Sequence, residues 1–292
     1  MVGCNTNCGW RGPQRGSMTL MSKRVVFFIS DSTGITAETL GNALLAQFDD
    51  IEYEKLTLPF VSDRGLAEAA VRKINEAGSS SERVVVFSTM SNPELHDVIC
   101  RSNALVMDLF SAFLPGLESE FQTGSTHETG RFHNLSNQTN YDARIEAIDF
   151  ALNHDDGAST THYDRSDLIL VGVSRSGKTP TCIYLAMQFG LRAANYPLTA
   201  DDLEHEGLPK ILDPYVDRLF GLTINPQRLR QIRQIRRPDS RYASLAQCRK
   251  EVGEVEVLFR KRSIPFLDTS LASVEEIASR VILDKGLQRR SF

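Results

Sequence analysis

Apolar residues gather along this chain in two alternating rhythms: short unbroken runs, and longer stretches in which they return every three or four positions. The runs at 25–30, 55–61, 84–87 and 105–107 are rich in β-branched and aromatic residues and predict strands. Between them the spacing predicts helices over about 35–48, 64–77, 93–101 and 109–121. On the second of these, Leu66, Ala69, Ala70 and Ile74 share the side expected to be buried. Pro93 suits the first turn of the third, where its missing N–H costs nothing. Strands and helices alternating in this way imply a mostly parallel α/β sheet.

The rhythm breaks at 122–138, where Thr, Gly, Ser, His and Asn replace apolar residues; a linker or mobile loop between domains is expected there. An amphipathic helix then opens at Tyr141, with Tyr141, Ile145, Ile148 and Leu152 on its apolar face and Asp142, Glu146 and Asp149 on another. His154-Asp155-Asp156-Gly157 ends it, the glycine suiting a left-handed cap. Further strands are expected at 168–173, 191–198, 219–224 and 264–269. Residues 181–190 read as a mostly buried helix carrying Ile183, Leu185, Ala186, Met187 and Phe189. Asn225-Pro226 opens another helix as cap and first residue, and a further helical stretch covers 242–261. Ser273-Val274-Glu275-Glu276 is a capping box before an apolar stripe of Val274, Ile277, Ala278, Val281 and Ile282. The expected organisation is a disordered tail or mis-called start at 1–21, then two α/β domains. An N-terminal doubly wound parallel-sheet domain spans 22–138, and a P-loop kinase-like α/β domain spans 139–292.

One junction carries specific chemistry. Between the strand ending near Val171 and the following helix stands Gly172-Val173-Ser174-Arg175-Ser176-Gly177-Lys178-Thr179, a full G-x-x-x-x-G-K-[ST] pattern in strand–loop–helix context. The two glycines let the backbone curl with successive N–H groups inward, and the helix N-terminus adds partial positive charge. Lys178 supplies a mobile charge for an outer phosphate, and the Thr179 hydroxyl is placed to ligate Mg2+.

Other polar groups have competing readings. Asp31-Ser32-Thr33-Gly34 forms a loop between strand and helix that could bind an anion or cap the helix. Asp201 and Asp202 follow the strand after the loop helix, and fit a base for a hydroxyl, an outer-shell magnesium ligand or a helix cap. Asp155 and Asp156 sit on a loop just before the phosphate-loop strand, and the adjoining acidic helix face reads as solvated or salt-bridged. Arg230, Arg233 and Arg237 share a helix face that could close over phosphates, dock an acidic partner or stand in solvent, the last being the default. Asp268 ends a short apolar run in a weak version of the pattern used to hold magnesium.

Composition narrows the classes. The 292 residues are 41% hydrophobic, enough for sizeable cores, and a formal net charge of −4 shows no global footprint for nucleic acid or a membrane surface. No apolar run approaches the length of a spanning helix. The first 21 residues lack the apolar centre of a signal peptide, and Met18 and Met21 offer later starts. Five cysteines without paired spacing suit a reduced cytoplasm. The six histidines are scattered, His127 and His133 in the polar segment among them, and argue no metal site. Cys4 and Cys8 have no third ligand nearby.

The motifs together go further. Residues 28–38 (Phe28-Ile29-Ser30-Asp31-Ser32-Thr33-Gly34-Ile35-Thr36-Ala37-Glu38), 141–145, 154–157, 172–181 and 187–190 match the bacterial phosphoenolpyruvate synthase regulatory proteins. So do 193–197, 220–224, 241–245 and 273–278, and the chain resembles that family over about residues 22–290. Its members are bifunctional kinase–pyrophosphorylases related to the plant pyruvate, phosphate dikinase regulatory protein. The resemblance implies transfer of phosphate from ADP to a threonine beside the catalytic histidine of the synthase, switching that enzyme off. It also implies reversal, inorganic phosphate attacking the phosphothreonine and releasing pyrophosphate. Gly172, Val173, Ser174, Arg175, Ser176, Gly177, Lys178 and Thr179 would form the ADP site, and Arg175 would add charge beside Lys178. Pyruvate, phosphate dikinase remains open as the client, and a homodimer remains open as the assembly. The loop alone also allows an ATP-dependent small-metabolite kinase. A GTPase is disfavoured by the lack of an Asn-Lys-x-Asp segment, and a regulator acting by binding alone would use the arginine face.

Overall fold

The computed structural model describes residues 23–78, 83–128, 138–157, 159–204 and 207–288. The chain divides into two compact units, residues 1–131 and 132–292. Each unit holds a four-stranded parallel sheet flanked by helices, so the chain has the α/β class that its pattern predicts. The expected tail at 1–21, residues 79–82 and most of the polar segment, His133 included, lie outside the described residues.

The first unit runs β1 (Lys23–Ser30), α1 (Ile35–Leu45), β2 (Glu52–Leu58), α2 (Arg64–Ala77), β3 (Val85–Thr89), α3 (Pro93–Ile99), β4 (Leu105–Asp108) and α4 (Leu109–Phe121). Its sheet order is β2-β1-β3-β4. β1 is central and apolar on both sides. Phe27 and Ile29 join a core with Ala67, Ala70 and Ile74 of α2, while Val26 and Phe28 join Ala37 of α1 and Leu109 of α4. Each large side chain so buried stabilises the unit by roughly 1.5–3 kcal/mol. Short polar side chains start three of the helices: Asp63 accepts from Leu66 N, Asn92 from Glu94 N and Asp108 from Ser111 N.

Two expectations are corrected here. β2 lies three residues earlier than predicted, because its start is Glu52-Tyr53-Glu54 and an edge strand exposed to water carries charges that hide it from a hydrophobic count. On α2 the buried face is Ala67, Ala70 and Ile74, spaced i, i+3 and i+7; Leu66 stands one position off that stripe and is exposed.

The second unit runs α5 (Gln138–Asn153), a 3₁₀ turn (Asp155–Gly157), β5 (Leu168–Gly172), α6 (Lys178–Phe189), β6 (Ala193–Pro197) and α7 (Ala200–Glu204). It continues with β7 (Leu219–Thr223), α8 (Pro226–Arg236), α9 (Leu245–Lys261), β8 (Phe266–Asp268) and α10 (Val274–Lys285). The sheet order is β6-β5-β7-β8, which repeats the order of the first unit. In both, the chain leaves the central first strand toward one neighbour and later returns to the other, so a crevice opens at that strand's carboxyl end.

The predicted face of α5 is also corrected. Ile145 and Leu152 are exposed, and Ala147, Phe150 and Ala151 are buried instead. Ala147 and Ala151 meet Cys182, Leu185 and Ala186 of α6, where small residues allow two helices to approach closely. The side chain of Tyr141 lies outside the described residues. Met187, expected inside α6, is exposed. The capping box at Ser273 and Glu276 forms as read, and Ile277, Ala278 and Val281 are the buried face of α10.

In the first unit, the loop after β1 is stitched to its neighbours. Asp31 Oδ2 accepts the backbone N–H groups of Ser91 and Asn92 at 2.6 and 3.1 Å, and Phe60 N donates to Ser32 O at 2.8 Å. Because Asp31 is buried, Asp31→Ala leaves two amides without an acceptor and is expected to cost about 1–3 kcal/mol per amide stranded. Denaturant unfolding followed by circular dichroism checks this; an unchanged first transition would mean that water replaces the carboxylate.

Candidate active site

β5 delivers the glycine-rich loop from the middle of the second core, every residue of Leu168–Gly172 being buried. The loop's curl is set at two glycines. A Cβ at Gly172 would stand 2.2 Å from the carbonyl oxygen of Leu222 on the neighbouring strand, so no other residue fits without moving β7. Gly177 has φ 91°, and as N-cap of α6 it offers no side chain to the first-turn N–H groups. Arg175 also has φ 78°, unusual for a side chain of that size. Alternation of this kind turns N–H groups to one side and makes an anion-binding concavity.

Carbonyls of the curled loop turn the other way and are bonded one by one. Lys178 Nζ donates to Gly172 O at 3.1 Å and Val173 O at 2.9 Å. Arg233 Nη2 donates to Ser174 O at 3.2 Å, Thr269 Oγ1 to Ser176 O at 3.0 Å, and Thr181 Oγ1 to Gly177 O at 2.9 Å. The Ser174 hydroxyl lies 3.0 Å from that of Tyr242. Ser176 Oγ is buried with no partner among the described residues.

Arg233 corrects the default reading of the arginine face. Arg230 and Arg237 are exposed, but Arg233 is fully buried: it pairs with Glu251 at 2.7 Å, donates to Tyr242 O at 3.1 Å and lies 4.0 Å over the Tyr242 ring. It is a strut between α8, α9 and the loop, not a solvated stripe.

A cavity of about 220 Å³ opens at the loop, lined by Asp156, Ser174, Arg175 and residues 177–180. Lys178 is 3% exposed on its floor. Burial pushes its pKa down to about 8, against the pull of Asp156, Cys182 and Asp155, which favours the charged form. Asp155 and Asp156 reach the loop from the 3₁₀ turn after α5. Thr179 Oγ1 donates to Asp155 Oδ1 at 2.7 Å; Asn195 Nδ2 donates to the same oxygen, and Asn195 Oδ1 accepts Asp156 N at 3.0 Å. A larger depression of about 540 Å³, between Leu203 and Val257, touches none of the loop residues.

Of the eight residues Gly172 to Thr179, the structure brings Ser174, Arg175, Gly177, Lys178 and Thr179 to the cavity together with Asp156, and buries Gly172, Val173 and Ser176 behind them. It does not bring Asp201 or Asp202 to the cavity lining. Asp202 accepts from Thr199 N and Oγ1 at 2.9 and 2.8 Å and from the Tyr196 hydroxyl at 3.2 Å, the capping role that competed with chemistry in the sequence. Asp268 is spent on Ser270 N at 2.9 Å and on the Ser270 hydroxyl. Asn195, Tyr242, Glu251 and Thr269 support the loop from a distance in sequence; Asn195 and Tyr242 lie in stretches that match the family, but no spacing in the chain ties any of the four to the loop. Asp155 and Asp156 were visible as an acidic turn before the loop strand. Among the described residues no group of three or more His, Cys, Asp or Glu could hold a metal by itself, and no helix is long and apolar enough to cross a membrane.

A parallel α/β unit with a glycine-rich loop at its switch point, and a buried lysine behind it, defines a candidate phosphate-handling protein. The family model for kinase/pyrophosphorylase matches residues 26–282, and the chain belongs to that family, whose class of activity is phosphotransfer. It is 54% identical over 269 residues to a protein of Stutzerimonas stutzeri (strain A1501), covering 92% of this chain and 99% of the relative. It is 51% identical over 272 residues to one from Pseudomonas aeruginosa (strain LESB58), covering 93% and 99%. With one from Marinobacter nauticus it shares 49% over 268 residues, covering 91% and 99%. Each of these relatives bears the name "Putative phosphoenolpyruvate synthase regulatory protein".

Removing Arg233 leaves the buried Glu251 carboxylate without a countercharge, held by Gln247 Nε2 at 2.9 Å, and frees Ser174 O. Arg233→Ala is expected to lower the stability of the second unit by about 3–5 kcal/mol. Urea unfolding checks this; a loss below about 1 kcal/mol would place the pair on the level of a surface ion pair.

Proposed function

We propose that this chain is an ADP-dependent protein-threonine kinase and a phosphate-dependent pyrophosphorylase that regulates phosphoenolpyruvate synthase. The single observation that carries the reading is the curled loop with Lys178 buried on its floor, in a member of the kinase/pyrophosphorylase family. The names of the relatives support the synthase as client. Three described cysteines are free, which suits a reducing cytoplasm.

The forward step moves the β-phosphoryl group of ADP. The threonine oxygen of the client forms a bond to the β-phosphorus, the bond to the bridging oxygen breaks, AMP leaves, and the hydroxyl proton goes to a base. Loop amides and Lys178 stabilise charge on the moving group, and Lys178 must release the carbonyls of Gly172 and Val173 to do so. Arg175, exposed at the rim, adds a second positive charge. In the reverse step an oxygen of inorganic phosphate attacks the phosphothreonine, the client hydroxyl is restored and pyrophosphate leaves. Inorganic phosphate would occupy the same concavity, so one centre serves both directions. The Thr179 hydroxyl at the cavity wall, with a carboxylate behind it, fits Mg2+; the cation would neutralise phosphoryl oxygens.

Lys178→Ala is expected to abolish both activities, and loss of one alone would overturn the shared centre. The direct test incubates the protein with ADP or ATP and with purified synthase, pyruvate, phosphate dikinase or small acceptors, then locates phosphothreonine by mass spectrometry. Phosphothreonine on the dikinase alone would reassign the client. Transfer from ATP to a small acceptor would replace the reading by a metabolite kinase.

A pH dependence follows from Lys178, whose pKa of about 8 must rise when phosphate arrives beside it. Binding then takes up a proton above that pH, so ADP affinity is flat below about 8 and falls by up to about tenfold per unit above it. Calorimetric titrations in buffers of different ionisation enthalpy check this; equal affinity at pH 7 and 9.5 would contradict it.

A further inference from the structure

The loop threonine is not alone. We propose that Asp155 is the positioning residue that aims the Thr179 hydroxyl at a divalent cation, with Asn195 holding Asp155 in place; the proposal rests on the nucleotide-site reading above.

A threonine hydroxyl has one hydrogen and two lone pairs. That of Thr179 gives its hydrogen to Asp155 Oδ1 at 2.7 Å, which fixes the rotor. Asn195 Nδ2 lies 3.4 Å from the same hydroxyl oxygen, but makes its short bond to Asp155. One lone pair is therefore left for the cavity that Thr179 lines, and the carboxylate behind the hydrogen makes that oxygen a better donor. A hard oxygen beside bound phosphates suits Mg2+, which takes one or two protein ligands and fills the rest with phosphate and water.

The direction from which this carboxylate comes is unusual. Where a phosphate loop works with an acid, that acid is ordinarily supplied by a separate strand motif. Here the neighbouring strand ends are committed elsewhere. β7 ends at Thr223, whose hydroxyl donates to Glu256 at 2.9 Å. After β8 the Asp268 carboxylate serves Ser270, and after β6 Asp202 serves Thr199 and Tyr196. Asp155 instead arrives from upstream of β5, at the end of α5.

Its placement is over-determined. Asn195 is fully buried on β6; its Nδ2 donates to Asp155 and its Oδ1 accepts Asp156 N at 3.0 Å, so one side chain grips both aspartates. Asn195 N also donates to His154 O at 3.2 Å. The His154 ring nitrogens each lie 2.7 Å from a carbonyl oxygen, of Phe150 and Thr161. Asp156 takes a left-handed conformation, φ 47°, that sends the chain past the cavity. A turn needed only for its shape would not require a buried side chain to grip the carboxylate on the loop threonine.

Asp155→Asn keeps the shape but replaces the acceptor by an amide that can donate to Thr179 and consume its free lone pair. The probes are Mn2+, read by electron paramagnetic resonance on the protein–ADP complex, and ADP, read by calorimetry with and without Mg2+. Expected is an about 10–100-fold weaker Mn2+ site, a loss much larger than any change of ADP affinity in EDTA. Thr179→Ser should bind Mn2+ as the wild type does and Thr179→Val as weakly as Asp155→Asn does, with no further loss of Mn2+ affinity when Asp155→Asn and Thr179→Val are combined. Unchanged Mn2+ affinity, or an equal loss of ADP affinity with and without metal, would overturn the proposal and leave Asp155 a structural residue. A wild-type protein that binds no ADP with or without Mg2+ would remove the nucleotide reading itself, and this inference with it.

Discussion

A backbone loop that turns its N–H groups inward must turn its carbonyls outward, and buried carbonyls need donors. That constraint organises the second unit. The loop after β5 is donated to by Lys178 from within, by Arg233 from α8, by Thr269 from the end of β8 and by Thr181 from the first turn of α6. Elements far apart in sequence converge on it because each supplies one donor. Gly172, pressed against the Leu222 carbonyl, is where the curl begins. The functional surface is then the opposite side of the same loop: amides left over for an anion.

Charge is arranged by the same logic. Lys178 is buried and its ammonium is destabilised by loss of water; Asp156 and Asp155 offset part of that cost from the acidic turn. Arg233 is buried more deeply still, yet it has Glu251, a tyrosine ring and two carbonyls around it. A cation with a carboxylate, a ring and two carbonyls on its guanidinium belongs to the scaffold. One held only by loop carbonyls and distant carboxylates is ready to exchange them for phosphate.

What was legible in the residues depended on how local its cause was. Asn225-Pro226 and the Ser273–Glu276 box act within one helical turn, and both form as read. The glycine-rich loop and its flanking strand and helix were legible for the same reason. The apolar face of α5 was misread because counting large residues favoured Ile145 and Leu152, while the neighbouring helix selected Ala147 and Ala151 by distance of approach. β2 was displaced because an edge strand tolerates the glutamates that a buried strand excludes.

The sequence by itself determined the two parallel sheets, the place of the loop and the residue types that could meet a phosphate, because strand, helix and turn chemistry is written within a few residues. Only the tertiary structure decided which arginine of three is a strut, and which of the acidic residues stand at the loop. Arg233 is 59 positions from Ser174, and Asn195 is 40 from Asp155. Contacts of that span are set by the order of strands in the sheet, which no local pattern encodes. The loop was readable in one dimension; its supports exist only in three.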